Sequence, residues 1–381
     1  MYKKLLIIGV AALCMSLFGV VQIHAQEESS DVQGVWKAKV LEVTNQETRL
    51  VPGTDTQSTY QTLQVEVLEG ERKGQIITIE NDFLKLEKGD AFFMNYLKKA
   101  DGTELYSVRD IERRPTIYFL IALFVAVIIS FGGRQGIRSL ISLAGSLLII
   151  LYVLLPALLK GYNPVLMSTL IATCILFLAI YFTHGFNKES TAAFLGTVIA
   201  IVVTGILASL AVSAASLSGF ASDESVFLNL TTRGTLNMQG LLLGAIIIGV
   251  LGVLDDIAIT QATVVRELYG TAPHLKRLEI YKIAIRVGKE HVGALVNTLA
   301  LAYTGASLPL LLLFSSGSTS VSMILNYEIF ATEVIRTIIG SIGLILTVPI
   351  VTGLAVVLLE KTRGQKPHHA HGHSHSHNHV H

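Results

Sequence analysis

The residues best able to do chemistry stand inside an apolar run. Its small residues Gly240, Gly244, Gly249 and Gly252 lead to Asp255-Asp256 and then Thr260. A carboxylate near the middle of a bilayer costs about 2.5–3.5 kcal/mol on insertion scales, so it needs a partner or a wet cavity. On a helix turning about 100° per residue, the four glycines, Asp255, Asp256, Ala258, Thr260, Ala262 and Thr263 share one half. Leu243, Ile246, Val250, Val253, Leu254, Ile257 and Val264 share the other, with Ile248, Leu251 and Ile259 breaking the split. Bulky side chains suit lipid and small ones suit close helix packing, so both carboxylates are expected to face the protein interior. Asp256 lies about 12 Å from Val264 along such a helix. In the next apolar run Asn297 and Thr298 lie a similar distance from the inner end, where Lys289, Glu290 and His291 mark the mouth. Asp255, Asp256, Asn297, Thr298 and Thr260 are therefore the candidate site for a cation or proton. The plain structural alternative is an aspartate that caps or salt-bridges to hold the bundle.

Two further groups carry ligand chemistry. Glu333 and Arg336 are three apart on one helical face and read as a structural ion pair, with Glu328 nearby. The C-terminus carries His368, His369, His371, His373, His375, His377, His379 and His381 in a segment with almost nothing apolar to bury. Neutral imidazoles bind divalent transition metals such as zinc, nickel and cobalt, and alternating histidines on a flexible chain provide capacity rather than one geometry. Cys14 and Cys174 lie in apolar runs, so neither a disulfide framework nor a zinc knuckle is expected. No Ser/His/Asp set, HExxH or P-loop is present, so no enzyme activity is expected.

The elements that must hold these residues follow from composition. The chain has 381 residues, 51% of them hydrophobic and 15% charged, with net charge +1 and mean hydropathy +0.58. The charge deficit marks a membrane protein, and the neutral balance gives no argument for nucleic acid. Residues 1–25 read as a signal peptide or signal anchor: Lys3 and Lys4 precede an apolar stretch that ends near Ala25. Within residues 26–115, residues 33–110 alternate with period two, as in Trp36–Val43 and Thr62–Val67, with turns at Gly70, Gly74, Gly89 and Gly102. This predicts a small all-β extracytoplasmic domain of five strands, a barrel or sandwich of OB-like kind. Residues 116–360 hold about seven spans, near 116–133, 139–159, 164–183, 191–215, 239–264, 291–314 and 334–359. Ser318–Glu333 is too polar for a span and reads as an outer loop or a short re-entrant helix.

With residues 26–115 outside, the inner loops hold Arg134, Arg138, Lys188, Arg266, Lys276, Arg277, Lys282, Arg286 and Lys289. The outer loops between spans hold only Lys160 and Arg233, which satisfies the positive-inside rule. Residues 361–381 then form a cytoplasmic His-rich tail. The stretch Leu275–Arg286 reads either as a helix on the anionic inner leaflet or as a solvated connector. The expected partners are the lipid bilayer, a small ion or proton, and a second copy or another membrane protein.

Several stretches resemble the YibE/F-like family of bacterial membrane proteins. They are Gly249-Val-Leu-Gly252-Val-Leu-Asp255-Asp256-Ile-Ala-Ile-Thr260, Gly288-Lys289-Glu290-His291, Asn297-Thr298 through Tyr303-Thr304-Gly305 to Leu308-Pro309, and Glu333-Val-Ile-Arg336 through Gly340-Ser341-Ile-Gly343. The resemblance covers the outer domain and all the spans. It implies one aspartate in the fifth span, at Asp256, so Asp255 is an addition. Lys289-Glu290 stands where the family has Arg-Asp, which keeps the charges and changes their reach. The His tail lies outside the family pattern. The implied location is the bacterial cell membrane. Two function classes stay open: a transporter or permease using the intramembrane aspartates, and a non-transporting scaffold or receptor acting through its outer domain.

Overall fold

The computed structural model describes residues 32–50, 57–99, 102–315 and 320–360. Residues 1–25, expected to be a signal segment, and the His-rich tail lie outside the described residues. The chain divides into two compact units, Met1–Val127 and Ile128–His381.

The first unit holds five strands: β1 (Val32–Leu50), β2 (Gln57–Val67), β3 (Ile76–Asn81), β4 (Ala91–Lys98) and β5 (Glu104–Ile111). They form one antiparallel sheet in the order β3-β2-β1-β4-β5, and β3 also approaches β5, which curls the sheet into a half-barrel. Period-two alternation does this: Trp36, Ala38 and Val40 of β1 point inward with Leu63, Val65 and Val67 of β2 and with Phe92, Met94 and Tyr96 of β4. β1 is longer than its apolar pattern. Residues 45–50 pair with 57–62 as an arm of polar side chains, beyond two register shifts in the β1–β2 pairing. The buried amide of Gln61 takes the place of backbone pairing for the loop after β3. It donates to Leu86 O at 2.8 Å and accepts from Leu86 N at 2.9 Å, seating Leu86 in the core.

The sole tryptophan stacks on Tyr96 with ring centroids 4.0 Å apart. Gly70, at φ +89, passes so close over the indole that a Cβ there would overlap it. Glu104 gathers Tyr106 Oη at 2.8 Å, Arg72 Nη2 at 2.6 Å and Tyr96 Oη at 3.2 Å. At the end of β5, Glu112 is clasped by Lys37 Nζ at 2.9 Å and Arg114 Nε at 2.8 Å, and Arg114 lies over the Phe93 ring.

Helix α1 (Arg114–Ile149) runs through a π-helical turn (Ile150–Leu154) into α2 (Leu155–Leu159). Inside α1, Gly133 has φ 51 and ψ −130, outside any helical region. Past it the chain doubles back, for a Cβ on Gly136 would strike the carbonyl oxygen of Ile128. In the second unit α3 (Pro164–His184), α4 (Lys188–Ala214), α5 (Asp223–Thr231), α6 (Met238–Thr271), α7 (Arg277–Ala306), α8 (Leu308–Ser315), α9 (Val321–Asn326) and α10 (Glu328–Leu359) follow. Five helices among the described residues are long and apolar enough to cross a membrane: Arg114–Leu159 counted as one, α3, α4, α6 and α10. The pair α7 and α8, bent by 63°, raises this to six if it is one span. The bend falls just before Leu308-Pro309, where the proline ring disfavours helix for the residue preceding it.

α6 is the central helix, packed on α3, α4 and α10 and less extensively on α7. Without a hydrophobic drive between helices in lipid, close approach of small residues does the packing. Where α4 crosses α10, a Cβ on Gly196 would come within 2.5 Å of Val351 Cγ2. The buried hydroxyls of Thr197, Thr204, Thr347 and Thr352 bond carbonyls four residues back, so none is left bare.

Two expectations change. Leu275–Arg286 is not a separate surface helix: from Arg277 on it is the first third of α7, with Ile280 and Ala284 buried. The two faces of α6 are also divided differently. Leu243, Ile246, Val250, Leu254 and Ile257 are buried, while Gly249, Gly252, Asp256 and Thr260 are exposed. Of the small residues, Gly240 and Gly244 pack as expected, against Pro164 and Ser168 of α3, and Ala258 and Ala262 are buried as well.

Candidate functional site

Asp255 stands seventeen residues from Met238 in the 34-residue α6, so it sits at mid-helix. It is half-buried, and its Oδ1 is fully enclosed with no hydrogen-bond partner among the described residues. Asp256 is exposed. With Ala245, Gly249, Gly252 and Thr260 it makes an exposed stripe along α6, and Thr263, half-buried, continues that line toward the end of the helix. Nothing lies within 4 Å of where a Cβ on Gly252 would be, so the stripe is open beside the aspartates.

The part of the stripe nearer the start of α6 meets a polar cluster. A Cβ on Gly249 would lie 3.3 Å from Tyr303 Oη of α7. Tyr303 is within electrostatic reach of Arg336 and Glu333, which pair at 3.0 Å. Thr332 Oγ1 and Arg336 Nε are buried there without a hydrogen-bond partner among the described residues.

The part nearer the end of α6 meets a second cluster. Glu189, in the first turn of α4, is buried. Its Oε1 accepts from Thr263 Oγ1 at 2.5 Å and its Oε2 pairs with Arg266 Nη1 at 2.7 Å. His184, the last residue of α3, is within electrostatic reach of both Glu189 and Asp256, which places these groups in one neighbourhood. Sequence reasoning missed Glu189 because an acidic residue in a first helical turn reads as a partner of the helix dipole. Its real contacts are 74 and 77 residues away in the chain.

The other predicted residues fall as follows. Gln261 Nε2 donates to Ala284 O at 2.7 Å, and Gly249 faces Tyr303. Midway between these pairs, residue 255 of α6 stands opposite about residue 294 of α7. By the same interpolation Asn297 and Thr298 lie about one to two turns from the aspartates along α7. Both are exposed, and Thr298 Oγ1 donates to Ala294 O at 3.0 Å. No hydrogen bond joins either to Asp255 or Asp256 among the described residues. No group of three His, Cys, Asp or Glu side chains among the described residues is placed to hold a metal. His368 to His381 lie outside them.

An N-terminal β half-barrel followed by a bundle of apolar helices, its central helix carrying a carboxylate pair, defines a multi-pass membrane protein. Residues 120–361 match the YibE/F-like protein family, and residues 35–107 match the YibE/F family N-terminal domain. The chain belongs to the YibE/F-like family. No curated protein and no solved structure matches it.

Proposed function

We propose that this protein is a permease moving a small cation or a proton, with Asp255 and Asp256 as the central binding carboxylates. The observation that carries the reading is a carboxylate pair at mid-helix with no cation paired to it among the described residues, beside an open stripe on α6. A bare carboxylate at that depth calls for a ligand or water. Thr260 lines the inward side of the site, and Asn297 and Thr298 of α7, about one to two turns away in depth, are its further polar groups. The Glu333–Arg336 pair is structural and holds the outer cluster together.

Seven spans suit this reading better than five or six. The run Arg114–Leu159 is 46 residues, or about 69 Å as one helix, more than twice the hydrocarbon core of about 30 Å. The reversal at Gly133 divides it into two lengths that each span once. The half-barrel is read as OB-like, because the approach of β3 to β5 nearly closes a five-stranded ring. The protein lies in the bacterial cell membrane with the β domain outside and the signal segment directing it there. Basic inner loops support that orientation. The tail histidines bind divalent metal on the inner side, the protein has no enzymatic reaction of its own, and a second copy or another membrane protein is its partner.

The rival is a scaffold or receptor acting through the outer domain. A polar cleft of about 310 Å³ favours it, formed by the β1–β2 arm and the end of β3 with Glu47, Arg49, Tyr60, Glu80 and Asp82 on its walls. Two variants in proteoliposomes loaded with a pH-sensitive dye and given sodium, potassium, magnesium or zinc gradients separate the classes. Asp256→Asn should insert normally and lose flux. Full flux in Asp256→Asn would end the permease reading. A cellular phenotype that survives Asp256→Asn but not deletion of residues 33–110 would establish the rival.

A further inference from the structure

We infer that Glu189, Thr263 and Arg266 form the inner gate of the α6 track, a reading that rests on the proposed permease function. The track runs inward from Asp256 through Thr260 to Thr263, with successive members three or four residues apart and therefore on one helical face. It ends at the knot where both Glu189 oxygens are taken, Oε1 by Thr263 at 2.5 Å and Oε2 by Arg266 at 2.7 Å. The distance along α6 from Asp256 to Thr263 is about 10 Å, and His184 lies within electrostatic reach of both Asp256 and Glu189.

The side chains in the knot differ in the way a movable closure requires. Glu189 is buried on α4, while the side chain of Arg266 is 44% exposed and also touches Glu267 at 2.9 Å. Arg266 can therefore leave Glu189 without entering a dry interior, keeping Glu267 as an alternative partner. With Arg266 in place the guanidinium covers the carboxylate at the end of the track. With Arg266 swung away, Glu189 becomes the next anionic position inward of Asp256. A purely structural tie between α4 and α6 would hold the helices together and would not change access to the residues above it.

Cysteine access separates these meanings. In the full-length protein with Cys14 and Cys174 replaced by serine, Thr260→Cys is exposed to a charged, membrane-impermeant thiol reagent in inside-out vesicles. With the knot intact, labelling should be slow. Glu189→Gln and Arg266→Gln should each speed it about tenfold or more, a shift of about 1.4 kcal/mol in the closed–open balance. The swapped pair Glu189→Arg with Arg266→Glu should slow it again. Labelling rates within about twofold of the parent in both single variants, with normal membrane insertion, would overturn the gate. So would equally fast labelling in the parent. Labelling reads access rather than flux. A failed permease reading would show as Asp256-independent flux, and a failed gate as unchanged labelling in a protein whose flux still depends on Asp256.

Discussion

Replacing Gly70 by alanine should loosen the β domain in a way the chain's only tryptophan reports directly. Gly70 has φ +89, and a Cβ there would overlap the Trp36 indole, which is stacked on Tyr96. The left-handed conformation costs an L-residue about 1–2 kcal/mol. Forcing the indole out of a packed site costs about 1–3 kcal/mol more, for a total of about 2–5 kcal/mol. A domain of this size is stable by about 4–12 kcal/mol at 0.05–0.15 kcal/mol per residue, so the loss takes a large share of it. With a urea m-value near 1 kcal/mol per molar, the midpoint should fall by about 2 M or more. Gly74 is the control. It has φ +83 with nothing within 4 Å of the Cβ position, so Gly74→Ala suffers the backbone strain alone. The assay is urea titration of the purified full-length protein followed by Trp36 emission, to which the helical bundle contributes no tryptophan. Gly70→Ala should also red-shift the native emission, and Gly74→Ala should not. Equal midpoints for the two variants would refute the packing argument.

The clasp on Glu112 predicts acid sensitivity. Hydrogen bonds from Arg114, aided by Lys37, hold its carboxyl down to about 2 from an ordinary 4.5. A depressed folded pKa means the contribution is present above pH 4.5 and is lost as pH falls toward 2. Urea midpoints should therefore drop across that window, and Glu112→Gln should flatten the drop, leaving a smaller slope from Glu104, which is also lowered, by Tyr106 and Arg72. For topology, cysteine at Ser58 should react with an impermeant thiol reagent in intact cells, and cysteine at Gly270 only after lysis; labelling of Gly270 beforehand would sink the inward orientation. Truncation after Gln365 should abolish zinc binding at neutral pH, and acidification should release zinc from the full chain, because protonated imidazole cannot ligate. Unchanged zinc binding by the truncated protein would place the metal elsewhere.

Strand positions were legible because one face of each strand is buried and one is not. Trp36 to Val40 and Leu63 to Val67 show the alternation openly. Residues 45–50 hid because both faces of that arm are polar, so no period marks them. The apolar spans were legible by length alone. Which face of α6 looks inward was not, because in lipid a leucine gains little by choosing one side over the other. Leu254 and Ile257 are buried while Gly252 and Asp256 stay open, the reverse of the size argument. Asp255 and Asp256 announced themselves through the cost of charge at that depth. Glu189 and His184 did not, since only the folded chain brings them to Thr263, Arg266 and Asp256.

The junction between the β domain and the first helix leaves almost no slack. β5 ends at Ile111 and α1 begins at Arg114, so only Glu112 and Arg113 intervene, a reach of about 7 Å even fully extended. Glu112 is bonded to both sides of that junction, to Lys37 of β1 and Arg114 of α1. The domain is thus mounted on the helix like a handle on a shaft, rather than hung from it on a string. A torque applied to the β domain is therefore delivered to the first turn of α1 instead of being lost in a linker.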